Sequence, residues 1–214
     1  LTGLANLPAL ITLNLSGNNQ LRNLTDLANL PALKTLNLRN SNQIDLTGLA
    51  KLPALKTLDL RDNGFSHLKG VANLSALKTL DLRNNNFSNL TGLPNFPALT
   101  ALNLRNNSLS NLAGLANSPA LITLNLSNNY QLNDLKGLAN LPALTTLNLS
   151  DNQFRGLGAL TNFSALTTLN LSENQLSNLN GLANLPSLKT IDLSNNSNLK
   201  SLKGIPPSVT ELTL

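Results

Sequence analysis

The sequence predicts an α/β solenoid, on three observations: self-similarity every 22 residues, one short alternating stretch per unit, and one polar residue at a fixed place among the leucines. With Leu55 as the start of a unit, apolar residues recur at Leu58, Leu60, Phe65, Leu68, Val71 and Leu74, and Leu77 opens the next unit. Asn63 is the polar member of this frame. Frames begin at Leu10, Leu33, Leu55, Leu77, Leu99, Leu121, Leu144, Leu166 and Leu188, and Val209, Leu212 and Leu214 belong to a partial tenth. The expected organisation is one solenoid over residues 1–214, with about nine repeats plus a terminal strand and no complete N-terminal cap.

Each unit opens with a strand. In "TLDLR", Leu58 and Leu60 point one way while Thr57, Asp59 and Arg61 point the other, the period-2 signature of a half-buried strand. The segment that follows, "HLKGVANLSAL", is apolar at every third position, which suits a single tight helical turn rather than a long helix. Pro or Ser then precedes the next strand, at Pro8, Pro31, Pro53, Ser75, Pro97, Pro119, Pro142, Ser164 and Pro186. Proline there ends the turn and gives up a donor the strand does not need. Parallel strands about 4.8 Å apart, backed by such compact turns, imply a gently curved arc.

The L-x-x-L-x-L-x-x-N-x-L pattern, in nine registered copies, resembles the leucine-rich repeat family across the whole chain. Segments such as "ENQLSNLNGLANLPSLKTIDLSNN" resemble its 22-residue bacterial, internalin-like branch, and also the short intracellular branch that includes a phosphatase regulator. The ending "GIPPSVTELTL" is more similar to repeats of secreted bacterial effectors. The resemblance implies an open horseshoe, with a parallel sheet on the concave face and short helical or 3-10 turns on the convex face. It also implies that Asn18, Asn63, Asn85, Asn107, Asn129, Asn152, Asn174 and Asn196 lie inside the turns, bonded to backbone of adjacent repeats. Such families bind proteins on the concave face, which here carries Thr57, Asp59, Arg61, Asp62 and their counterparts. The chain departs from internalins in lacking concave aromatics, the usual anchors of a tight interface.

Composition excludes several classes. An apolar fraction of 41%, with no long charge block, is enough for a folded core. The absence of cysteine removes disulfides and thiolate metal sites. No apolar run approaches the length of roughly 20 residues that crosses a bilayer. No signal peptide opens the chain at Leu1, where the pattern is already under way, so a trimmed export signal is compatible with it. The five phenylalanines share core columns, and His67 has no second histidine with which to hold a metal. No catalytic motif occurs, and Asp59 and Asp81 are each flanked by Lys and Arg, so charge compensation explains them better than acid–base work. No enzyme activity, cofactor or metal is expected.

The outward columns carry the information. Thr12, Thr35, Thr57, Thr79, Ala101, Thr123, Thr146, Thr168 and Thr190 form the first row, as strand propensity favours. The second is entirely Asn or Asp, from Asn14 through Asn37, Asp59, Asp81 and Asn103 to Asp192, which propensity does not explain. In the third, Arg39, Arg61, Arg83 and Arg105 stand in adjacent strands, between Ser16 and Ser127. Lys34, Lys56 and Lys78 make a parallel row just before the same strands. Seven cations against Asp59, Asp62 and Asp81 leave a local charge of +4 in repeats two to five, close to the +5 of the whole chain. Such a row needs splayed side chains, compensating carboxylates or an anionic partner; duplication of one unit is the plainer account.

Three places are irregular. "GNNQLRNL" and "NNYQLNDL" each carry one extra residue, and the second holds the only tyrosine, Tyr130, placed to anchor a partner. "RNSNQIDL" puts Ser41 where the ladder expects Asn, which unsettles the register near Asn42 and Ile44.

The expected function is a non-enzymatic protein-interaction module with a basic concave patch for an acidic protein surface. Its candidate residues are Lys34, Arg39, Lys56, Asp59, Arg61, Lys78, Asp81, Arg83, Arg105 and Tyr130. Polyanion or nucleic-acid binding is a second reading, disfavoured by the absence of exposed aromatics for stacking. A structural, ice-binding or designed scaffold is a third. Open sheet edges would permit oligomerisation, and a fragment of a longer protein is compatible with ends that fall mid-repeat. The resemblance leans to a bacterial surface or secreted protein, with a cytosolic one left open. Acceptor sites inside strands, at Asn14, Asn125, Asn148 and Asn170, disfavour a eukaryotic secretory route.

Overall fold

Each repeat commits only three residues to the sheet. The computed structural model describes residues 1, 3–42, 44–71, 74–115, 118–138, 141–158, 160 and 163–214. Its strands are β1 (Thr12–Asn14), β2 (Thr35–Asn37), β3 (Thr57–Asp59), β4 (Thr79–Asp81), β5 (Ala101–Asn103), β6 (Thr123–Asn125), β7 (Thr146–Asn148), β8 (Thr168–Asn170), β9 (Thr190–Asp192) and β10 (Glu211–Thr213). They form one ten-stranded parallel sheet in sequence order. Equivalent residues lie side by side, Thr35 with Thr57, Leu58 with Leu80 and Asn103 with Asn125.

The central residue of each inner strand, leucine or in β9 Ile191, is buried, whereas the flanking Thr57 and Asp59 of β3 are half-buried on the outer face. Behind the sheet the chain returns through tight turns. Among the described residues these include 3-10 helices at Leu4–Asn6, Thr25–Asn29, Leu46–Lys51 and Leu182–Asn184. Elsewhere a single three-residue bond does the same work, as from Leu93 N–H to Leu90 O at 2.9 Å. Leucines from both layers meet in one continuous core, joined by Phe87, Phe96, Phe154 and Phe163, with Phe65 half-buried against it.

The asparagine column closes each unit onto the previous one. Asn107 donates from Nδ2 to Leu104 O in its own repeat at 2.9 Å and to Leu82 O in the preceding one at 3.1 Å, while its Oδ1 accepts Phe87 N–H at 3.1 Å. Asn63, Asn85, Asn129, Asn152, Asn174 and Asn196 make the same cross-repeat donation. Asn18 reaches only carbonyls of its own repeat, Leu15 O and Ser16 O.

Ser41 replaces the amide in repeat two without breaking the stack: it is fully buried, and its hydroxyl takes over the bond to Leu15 O at 3.2 Å. Register is kept between β2 and β3, and Ile44 is buried; Gln43, within that irregular stretch, lies outside the described residues. The two extra residues are absorbed after the asparagines, where Leu21 N–H donates to Asn18 O and Leu132 N–H to Asn129 O. A third such turn, from Leu199 N–H to Asn196 O, was not evident from sequence spacing. At the far end, Leu212 and Leu214 are 41% and 67% exposed although they occupy core positions.

One glycine column allows the turns to touch. A Cβ at Gly114 would stand 2.0 Å from Leu90 O, at a backbone φ of +100°, so only glycine fits.

The asparagine contacts set an expectation for stability. Asn107→Ala leaves the buried Phe87 N–H without its acceptor and takes one of two amide donors from each of Leu82 O and Leu104 O, and should cost about 3 kcal/mol, whereas Asn18→Ala, which breaks no cross-repeat bond, should cost about 1 kcal/mol. Urea midpoints of the two variants, read at unchanged slope, check the difference.

Candidate interaction surface

The Asn/Asp row has a structural task. As the backbone leaves each strand, the residue two positions on has an N–H that the row's side-chain oxygen accepts. Asn37 Oδ1 accepts Arg39 N–H at 2.9 Å, Asp59 accepts Arg61 N–H at 3.1 Å, Asp81 accepts Arg83 N–H at 3.2 Å and Asn103 accepts Arg105 N–H at 3.1 Å. The same bond recurs from Asn14 to Asp192. Either side chain serves this turn. The choice between Asn and Asp is therefore free to set charge.

A fourth row, that of Asp62, was assigned to the concave face from sequence without its backbone conformation. The residue after each third-row position holds a left-handed backbone: Gly17, Asn40, Asp62, Asn84, Asn106, Asn128, Asp151, Glu173 and Asn195, with φ from 51° to 75°. Its signal was the run of Gly, Asn and Asp, the residues that best tolerate that conformation. Part of this row is a ladder of its own, with Asn84 Nδ2 donating to Asp62 Oδ1 at 2.5 Å and Asn106 Nδ2 to Asn84 Oδ1 at 2.8 Å.

Three of the four arginines are paired within the chain. Arg61 Nε lies 2.9 Å from both carboxylate oxygens of Asp59, and its Nη2 lies 2.5 Å from Oδ2. Arg83 repeats this on Asp81, with Nη2 to Oδ2 at 2.7 Å, and Asp81 also stands 3.7 Å from Arg61 Nε. Arg39 reaches across to Asp62 Oδ2 at 2.6 Å. The hydrogen bond from Asp59 raises the pKa of Arg61 against the opposing effect of burial, and the charges of Asp59, Asp81 and Asp62 add to it. Burial by itself would raise the Asp62 carboxyl, but hydrogen bonds from Asn84 and Arg39 and the charges of Arg39 and Arg61 outweigh it and hold the group below its usual range.

The remaining cations are uncompensated. Lys34, Lys56 and Lys78 are exposed and, like Arg105, make no ion pair among the described residues. The lysines are locked side by side by their backbones, Lys56 N–H to Lys34 O and Lys78 N–H to Lys56 O, both at 2.8 Å. Arg61 lies five positions after Lys56, so the lysine and arginine rows run about 16 Å apart at about 3.3 Å per residue.

Tyr130 is not brought to this patch. It is 59% exposed beyond the exit of β6, where it lines a cleft with Gln131, Asn133, Gln153, Arg155 and Gly156. His67 is exposed, its Nδ1 accepting Lys69 N–H at 3.3 Å. No cluster of metal-ligating side chains occurs among the described residues, and no described helix is long and apolar enough to cross a membrane.

Comparison with known proteins is consistent along the chain. Residues 8–51, 119–162 and 164–207 match the family described as Leucine Rich repeats (2 copies), and residues 76–97 match Leucine Rich Repeat. Among solved structures, an internalin (inlF) from Listeria monocytogenes is 26% identical with a TM-score of 0.76, covering 99% of this chain and 69% of that one. Listeria monocytogenes InlP is 27% identical with a TM-score of 0.71, over 88% of this chain and 56% of its own. A chain of the mouse RP105/MD-1 complex is 29% identical with a TM-score of 0.76, over 91% of this chain and 36% of that one. Among curated protein sequences none matches.

The depressed Asp62 carboxyl makes an acid-side prediction. A group whose folded pKa is lowered adds stability above its unfolded value, and that stability is lost as pH falls through the folded one. Asp62→Asn, which keeps the left-handed backbone, should therefore lose less stability than the parent between about pH 5 and about pH 2. Thermal midpoints at the two pH values would show the parent curve to be the steeper.

Proposed function

The chain belongs to the leucine-rich repeat family, with 22-residue repeats of the internalin kind, and on that premise we propose that it is a non-enzymatic module binding a protein on the concave face of its sheet. The observation that carries the reading is the grouping of uncompensated charge. Lys34, Lys56 and Lys78 immediately precede β2, β3 and β4, and Arg105 follows β5 by two residues, whereas the same columns in later repeats hold Ile122, Thr145 and Thr167, and Ser127, Ser150, Ser172 and Ser194, with Lys189 a lone later cation. An acidic surface is the complement of such a patch. RP105 was solved in complex with MD-1, which favours a protein as the class of partner.

The roles divide by pairing. The free lysines steer an acidic partner and set its association rate, since exposed charges act mainly on encounter. Arg39, Arg61 and Arg83, neutralised by Asp62, Asp59 and Asp81, form a rigid strip of hydrogen-bonding groups that fixes the partner's register. Tyr130 offers a separate aromatic anchor beyond β6.

A pull-down from the native source identifies the partner, and binding kinetics then test the roles. Reversing Lys34, Lys56 and Lys78 to Glu should slow association about tenfold or more with little change in dissociation. Unchanged association would sink the assignment. An affinity for duplex DNA that falls steeply with salt, and exceeds that for any protein, would move the reading to polyanion binding.

A further inference from the structure

We propose that Arg105 is the anchor of a carboxylate subsite, filled by an Asp or Glu side chain of the partner. The inference rests on the reading of the face as a protein-binding surface and names the group that enters it. Its template lies in the adjacent repeats, where Arg61 and Arg83 each grip a carboxylate through Nε and Nη2. In both, that carboxylate comes from the second-row residue of the same strand, Asp59 or Asp81. In β5 the second-row residue is Asn103, which keeps the turn by accepting Arg105 N–H but brings no charge. The left-handed position of the next repeat offers none either, since Asn128 stands where Asp62 serves Arg39.

The surroundings suit a ligand from outside. Arg83, Asn84, Arg105, Asn106 and Asn128 line a shallow polar cleft. The side-chain ladder of the left-handed row runs from Asn106 through Asn84 to Asp62. Among the described residues it does not continue to Asn128, whose side-chain amide makes no hydrogen bond there. An incoming carboxylate can thus take the guanidinium of Arg105 on one side and the Nδ2 donors of Asn128 on the other. The nearby carboxylates do not compete: Asp81 is held by Arg83, Asp62 by Arg39 and Asn84, and Asp151, one repeat beyond Asn128, forms no ion pair with Arg105. A charge-assisted, two-pronged contact of this kind gives orientation as well as affinity.

The test needs no partner. Sodium acetate is titrated against the full chain at constant ionic strength, following arginine Nε–H and asparagine Nδ2 signals by NMR. A saturable shift is expected at Arg105 and Asn128, with Arg61 and Arg83 unmoved. Asn103→Asp gives β5 the strand-ending Asp of β3 and β4, so it should fold normally, supply the carboxylate internally and weaken acetate about tenfold. Arg105→Gln should remove the shift. Equal shifts at all four arginines, or an Asn103→Asp variant that still binds acetate as the parent does, would overturn the subsite. Inorganic phosphate runs in parallel, and a phosphate response stronger than that to acetate with the same dependence on Arg105 would overturn the carboxylate assignment in favour of a phosphate ester. Failure here leaves the lysine-dependent association untouched, so the two readings fall separately.

Discussion

One buried amide per repeat governs this architecture. Strands of three residues cannot hold a sheet by length, and the chain between them is mostly turn, with carbonyls that a leucine core cannot satisfy. Asn63, Asn85, Asn107 and their successors donate to those carbonyls in two repeats at once, while their oxygens accept N–H groups from the preceding turn. Because a buried polar group without a partner is costly, the amide sets the offset between units as strictly as it stabilises them. Ser41 shows how narrow the tolerance is: a shorter side chain serves because its hydroxyl still reaches Leu15 O.

Uniform stacking has an electrical consequence. When every repeat has the same offset, residues of one column become a row at strand spacing, and a repeated arginine becomes a line of like charges. The chain meets this with carboxylates already positioned by the turn geometry. Asp59 and Asp81 cap the backbone and neutralise an arginine with the same side chain. Where Asn takes the capping position the turn is unchanged but brings no charge, so Arg39 pairs with Asp62 of the next repeat and Arg105 makes no ion pair among the described residues. One substitution type, Asn for Asp, thus tunes the outer face without disturbing the fold.

The outer face accordingly separates into a neutral, hydrogen-bonded strip and a line of exposed lysines about 16 Å away. It has no aromatic ring on it, since four of the phenylalanines are buried in the core, Phe65 is half-buried against it and Tyr130 stands beyond β6. Recognition on such a face depends on charge and register more than on apolar anchors.

Much of this was legible in the residues. The 22-residue frame located every strand, alternation assigned Thr57, Asp59 and Arg61 to the outer face and Leu58 and Leu60 to the core, and the asparagine column marked the turns. These follow from local periodicity, which a chain displays before it folds. Pairing was decided only in three dimensions. Sequence places Lys56 and Arg61 on either side of Asp59 alike, yet the arginine is bonded and the lysine makes no ion pair among the described residues. It gives no reason for Arg39 to choose Asp62, 23 residues on. Those outcomes depend on side-chain reach across neighbouring repeats, over a few ångströms, and periodicity assigns a residue to a row without saying which neighbour it will touch.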